Sequence, residues 1–215
     1  MDIKKQEIEI VEEILEPTII DCLLKTYLVG SMESPAAKDG GVGWRQSNTP
    51  DLLARSIFIF DPTREEMSKA GTPPEETGEK LNGWIASGNR EKFKEVMQNI
   101  WKGITYQRKN SDTNALELVH VLGDLDYVTQ SDFLIFYFDE KDNLGGTIGE
   151  VFCAWEHGIP VYAVTKCPLS KFNKSILSWI WNSEGEVFPN FKQLYEFLDK
   201  KYKLKPKKIK NKKGE

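Results

Sequence analysis

The sequence predicts an α/β domain, a doubly wound parallel sheet of about five strands with helices on both faces. Three observations carry that prediction. Short, almost wholly apolar runs recur, as strands buried on both faces do: KTYLV ending at Gly30, IFIF ending at Asp61-Pro62, then FLIFYF and IPVYAVT. Segments with helical spacing stand between them, the clearest beginning at Arg90, where Phe93, Val96, Met97, Ile100, Trp101 and Ile104 fall on one face. The two kinds of segment alternate, which is the order expected of a flavodoxin-like or Rossmann-like sheet.

Taken in chain order, residues 1–22 read as a helical extension. Ile8, Val11, Ile14 and Leu15 recur at helical spacing, and Pro17 stops the run. Residues 23–199 form the α/β domain. Its first strand is Lys25 to Val29, followed by a loop holding Gly40, Gly41 and Gly43, a short helix from Pro50 to Ser56, and a second strand from Ile57 to Phe60. Residues 64–90 are polar and rich in Gly, Pro and Glu, which predicts a loop excursion. With the helix from Arg90, residues 64–110 make an excursion plus helix.

Ser111 to Asn114 is a turn, and LELVHVL stays open between strand and helix. GDLDYVTQSD reads as a short helix leading into the strand Phe133 to Phe138. A helix from Gly146 to Gly158, the IPVYAVT strand, a short helix from Ile176 to Trp181 and a final strand-turn-helix unit complete the domain. Residues 200–215 are lysine-rich and read as a solvated, disordered tail. The rival reading is a nucleic-acid contact through phosphate neutralisation by Lys200 to Lys213.

Composition narrows the function classes. The chain has 215 residues, 40% apolar and 29% charged, with a formal net charge of −4, as expected of a globular chain that does not bind polyanions by bulk charge. Cys22, Cys153 and Cys167 are scattered, and His120 and His157 form no spaced pair, so neither a metal site nor a cofactor is expected. MDIKKQEIEI is charged, and no apolar run approaches the roughly 20 residues of a membrane span. A cytoplasmic setting is the expectation. The phosphate-loop, dinucleotide-binding and G-x-S-x-G patterns are absent.

What remains is carboxylate chemistry. In an open parallel sheet, ligands bind beyond the carboxyl ends of the strands. Three segments fall there: GSMES, DP and DEKDNLGGTIGE. Glu150 reads as a first-turn helix acid, and by spacing alone an acid offsetting the helix dipole is the commoner role. The rival role is a nucleophile that attacks an anomeric carbon, with a second acid, from among Asp124, Asp126, Asp139 and Asp142, serving the leaving group.

YLVGSM, GWR, the DP after strand two, GDLDYVTQSDFLIFYF and GGTIGEVFCAWEHGIPVYAV together resemble the nucleoside 2-deoxyribosyltransferase-like superfamily, which includes nucleotide N-glycoside hydrolases. The resemblance covers about residues 25 to 165. It implies that Glu150 is the nucleophile and Asp124 the acid that handles a proton on the nucleobase. It places Gly30, Ser31 and Met32 in the loop lining base and sugar. Arg45, Asp61, Gly145, Gly146 and Thr147 join the substrate-binding set, and Asp142 or Asp139 is the acid that orients a sugar hydroxyl.

Two positions depart from the pattern. The tyrosine that positions the nucleophile is expected where Leu28 stands, one residue from Tyr27, and the sugar-orienting acid is expected at Leu144. The implied activity is cleavage or transfer at the N-glycosidic bond of a nucleoside or nucleoside monophosphate, by a homodimer or higher homo-oligomer. The alternative is an inactive nucleotide-binding or sensing module.

Overall fold

A computed structural model of the chain describes residues 24–31, 41–110, 114–140, 142 and 144–207. The expected N-terminal helix at 1–22 lies outside the described residues. Strand β1 (Leu24–Gly30) is buried along most of its length. Helix α1 (Val42–Leu53) starts earlier than the Pro50 expected from sequence. Gly41, at φ 76°, turns the chain into it, and the hydroxyls of Ser47 and Thr49 and the amide of Asn48 donate to carbonyls four residues back. Those side-chain bonds suit a helix that must pass a proline.

Strand β2 (Ile57–Phe60) has its expected bounds. The segment expected to be a loop is helical: α2 (Pro62–Ala70) and α3 (Pro74–Ala86) precede α4 (Arg90–Lys102). Its sparse apolar residues suffice because they need to cover only α4. Ala70 and Leu81 pack with Val96 and Ile100 in a satellite cluster that Trp84, Phe93 and Met97 border. Gly103, at φ 73°, ends α4, so Ile104 opens a strand instead of continuing the helix. Strands β3 (Ile104–Lys109) and β4 (Leu116–Val121) form an antiparallel hairpin, which settles LELVHVL as a strand.

Helix α5 (Asp124–Thr129) is capped by Asp126, whose carboxylate accepts from the Gly123 amide at 3.0 Å. Strand β5 (Phe133–Tyr137), helix α6 (Gly145–Glu156), strand β6 (Val161–Val164), helix α7 (Lys174–Asn182), strand β7 (Glu186–Phe188) and helix α8 (Phe191–Lys201) follow. Asn173 and Asn190 cap the last two helices.

The main sheet has the order β2-β1-β5-β6-β7, and every pairing in it is parallel. Counted along the chain this is the 2-1-3-4-5 order of flavodoxin-like sheets, whose direction of winding reverses beside the first strand. Alternate residues build two cores. Tyr27, Val29, Leu134, Phe136, Val161 and Ala163 face helices α5, α6 and α7. Leu28, Ile57, Phe133, Ile135, Tyr162 and Val164 face α1 and α8.

The lysine-rich segment expected to leave the body at Lys200 stays on it as far as Lys207. Tyr202 stacks on Phe133 at 5.4 Å and shares a 2.9 Å hydroxyl contact with Tyr162. Leu204 packs against the core, and the Lys207 amide donates to the Ala54 carbonyl at 2.7 Å. Apolar Tyr202 and Leu204 hold a strand of lysines down. Among the described residues no helix is long and apolar enough to cross a membrane.

Where β1 ends, there is no room for a side chain. A Cβ on Gly30 would stand 2.7 Å from the Tyr137 carbonyl oxygen and 3.1 Å from the Trp44 ring. Gly30→Ala is therefore expected to cost about 1–3 kcal/mol, seen as a lower urea midpoint with an unchanged slope.

Candidate active site

A cleft opens where β1 ends beside β5, at the point where the winding reverses. Its mouth is open to solvent, and with that open space counted it spans about 730 Å³. Its floor is Tyr27, Gly30 and Ser31 of β1 and the residue after it; its sides are Asp124 at the start of α5 and Gly145, Gly146, Thr147 and Glu150 of α6. Arg45 lies behind the β1 residues, and Leu81, Met97, Ile100 and Trp101 make an apolar roof.

Glu150 is in the second turn of α6, whose first turn holds no acid. The helix-start role is thereby excluded. The side chain is buried and accepts a 2.7 Å hydrogen bond from the Tyr27 hydroxyl on Oε1. Burial, reinforced by the Asp124 charge, pushes the Glu150 carboxyl up to about 8, against the pull of Tyr27, Arg45 and Lys69. Burial and the two carboxylates hold the Tyr27 phenol well above its ordinary range, so it stays a neutral donor.

Tyr27 corrects the sequence register. The side chain that meets Glu150 belongs to Tyr27, on the α6 face of β1, while Leu28 points into the opposite core. In a strand, a one-residue slip moves a side chain to the other face.

Asp124 is also buried, and the Lys69 ammonium donates to its Oδ1 at 2.6 Å. Burial raises the Asp124 carboxyl, while Lys69, Arg45 and Tyr27 favour its ionised form. Lys69 comes from α2, inside the segment read as a loop, so no sequence signal tied it to the site.

The other expected residues divide. Arg45 is no surface residue: it is 1% exposed. Its guanidinium donates to the carbonyls of Leu28, Gly30 and Gly41 and lies 3.7 Å from Asp61. It therefore binds the end of β1 rather than reaching into the cleft with free donors. Asp61 sits behind it, outside the cleft lining, and caps α2 by accepting from the amide and hydroxyl of Thr63. Asp142 accepts from the Asp139 amide at 2.7 Å and closes its own loop, away from the lining.

Leu144, at the position expected for a sugar-orienting acid, precedes α6 and packs on the core. Met32 lies outside the described residues. Ser31 is 7% exposed, and its hydroxyl has no hydrogen-bond partner among the described residues. Among the described residues, no group of three or more His, Cys, Asp and Glu side chains is placed to hold a metal ion.

No family model matches the chain, and no curated protein matches it. Among solved structures it is similar to a 2-deoxyribosyltransferase from the psychrotolerant bacterium Bacillus psychrosaccharolyticus. The TM-score is 0.50 and the identity 14%, over 85% of this chain and 98% of that one. At that identity the likeness is one of fold: a five-stranded parallel sheet with helices on both sides.

The buried carboxyl leaves a mark on stability. Between the unfolded value of about 4.3 and about 8, folded Glu150 keeps a proton that the unfolded chain has released. Its contribution to stability is full below that window and is lost as pH rises through it. Glu150→Gln cannot ionise. The variant is expected to gain on the native protein by on the order of 2–5 kcal/mol between pH 5 and pH 9, read by urea unfolding at each pH.

Proposed function

We propose that this protein cleaves or transfers at the N-glycosidic bond of a nucleoside or nucleoside monophosphate, with Glu150 as nucleophile and Asp124 as acid and base. The observation that carries the reading is the pairing of two buried carboxyl groups in one cleft, Glu150 held by the Tyr27 hydroxyl and Asp124 held by the Lys69 ammonium. Carboxyl groups with different partners can take different roles. A fold neighbour described as a biocatalyst for nucleoside synthesis supports the substrate class.

In the first step an oxygen of ionised Glu150 bonds to C1′ as the C1′–N bond breaks. The bonding pair leaves with the base, and Asp124 gives the base a proton. In the second step water or another base attacks C1′, the ester bond breaks back to Glu150, and the attacker's proton goes to Asp124. The Tyr27 hydrogen bond orients Glu150. The apolar roof offers a flat base a dry surface, which strengthens every charge interaction beneath it.

A nucleotide-binding module without chemistry is the second reading. Leu144 favours it, because among the described residues the acids lining the cleft are Asp124 and Glu150 alone. Calorimetry separates the two: tight binding of a nucleotide that stays intact supports the module.

Deoxynucleosides and their monophosphates, incubated with and without a free base and followed by chromatography, test the proposal. Glu150→Gln is expected to lower turnover by about 10³-fold or more, and Asp124→Asn by about 10²–10⁴-fold. Unchanged turnover in Glu150→Gln would remove the mechanism.

A further inference from the structure

Lys69 has no part in the proposed reaction as a nucleophile or an acid, yet among the described residues it is the one buried lysine. Its side chain is fully buried, and Nζ lies 2.6 Å from Asp124 Oδ1. The Tyr127 ring, 5.3 Å from Nζ, flanks it. Burying an ammonium is costly unless it is paired, and this one is paired with one of the two carboxyl groups and not the other. Among the described residues, Glu150 receives a hydrogen bond from a neutral hydroxyl, that of Tyr27. The charged and polar groups that act on Asp124 are Lys69 from α2, Arg45 from α1 and Tyr27 from β1, and its charge in turn acts on Glu150 from α6. Of the two cations, Arg45 is taken up by backbone carbonyls and Asp61.

We propose that Lys69 is a positioning residue for Asp124: its ammonium stabilises the carboxylate that Asp124 becomes on giving its proton to the departing base, and so makes Asp124 a stronger acid. The inference rests on the N-glycoside reading for its catalytic consequence, but the hold of Lys69 on Asp124 does not.

The proton balance is that of the two steps already written. As C1′–N breaks, Asp124 loses its proton to the base and is left as a carboxylate against the Lys69 ammonium, which keeps its own three protons. On the return step the attacking water or base gives a proton back to Asp124. A fixed positive charge beside a site where negative charge develops helps the transition state more than the ground state. The help matters only when the leaving group needs a proton. Lys69 pulls Asp124 down against the burial that raises it, so the proton of the ligand-free pair rests on Glu150; the reacting form is the one in which that proton has passed to Asp124 and left Glu150 ionised.

Two measurements test this. The first needs no turnover. Carboxyl carbon NMR titration of the ligand-free protein, with signals assigned through Asp124→Asn and Glu150→Gln, is expected to show Asp124 titrating below Glu150. Lys69→Met should move Asp124 upward by at least about one pH unit, and Lys69→Arg should leave it near the native position. Asp124 titrating above Glu150 in the native protein overturns the inference, even if Lys69→Met does not fold. An Asp124 titration unmoved in a folded Lys69→Met protein overturns it as well.

The second measurement compares leaving groups. Lys69→Met should lose about 10–10²-fold in kcat/KM on deoxynucleosides, whose bases need a proton. It should lose little on 4-nitrophenyl 2-deoxyriboside, whose nitrophenolate leaves without one. Equal losses on both mean that Lys69 only supports the fold of the site, and contradict the proposed role. If the native protein cleaves neither substrate, the N-glycoside reading fails, and the titration alone decides whether Lys69 governs Asp124.

Discussion

The Tyr27 hydroxyl donates to Glu150 across 2.7 Å at the floor of a cleft that also buries Asp124, and much of the architecture serves to hold those two carboxyl groups together out of water. Two anions in one dry site repel and lose their hydration. The chain answers with Lys69 on Asp124 and with Arg45 behind β1. Arg45 also ties the last carbonyls of β1 to Gly41 and lies against Asp61 at the end of β2. One buried guanidinium therefore fixes the strand that carries Tyr27 and supplies charge to the site it frames.

The position of the site follows from the sheet. Reversal of winding beside β1 leaves a crevice at the strand ends, and α6 enters it with its glycine-rich first turn. Trp101 lies against that turn, and a Cβ on Gly149 would come within 3.2 Å of its ring. Small residues on α6 thus let an indole from α4 lie close, and α2, α3 and α4 become a cover for the cleft. Glu150 and Asp124 are buried beneath that cover, and burial raises the Glu150 carboxyl. The segment that read from sequence as a polar excursion, with the helix after it, supplies both the roof and Lys69.

Much of this was legible in the sequence, for physical reasons that also explain the failures. Strands buried on both faces are continuous apolar runs, so β1, β2, β5 and β6 could be read within a residue or two. Glu150 and Asp124 could be named from spacing and resemblance. Helices α2 and α3 could not, because their polar, Pro- and Gly-containing sequence carries only a thin apolar stripe, matched to a small cluster on α4. Strand β3 was hidden because Ile104 continues the period of α4, and only the positive φ of Gly103 breaks it. Tyr27 was misjudged by one residue, which in a strand is the whole difference between facing α6 and facing away. Arg45 and Asp61 were named for the ligand, but the backbone carbonyls and the α2 cap use them. Lys69 gave no signal, since its partner is 55 residues away in the chain.

The central claim is that Glu150 forms a bond to a sugar. Acid quenching during turnover of a deoxynucleoside, followed by proteolysis and peptide mass mapping, tests it most directly. The account predicts a deoxyribosyl ester on the peptide containing Glu150, present only while substrate is being consumed. Glycosidic cleavage with the sugar attached elsewhere, or with no adduct and product of inverted anomeric configuration, would contradict it.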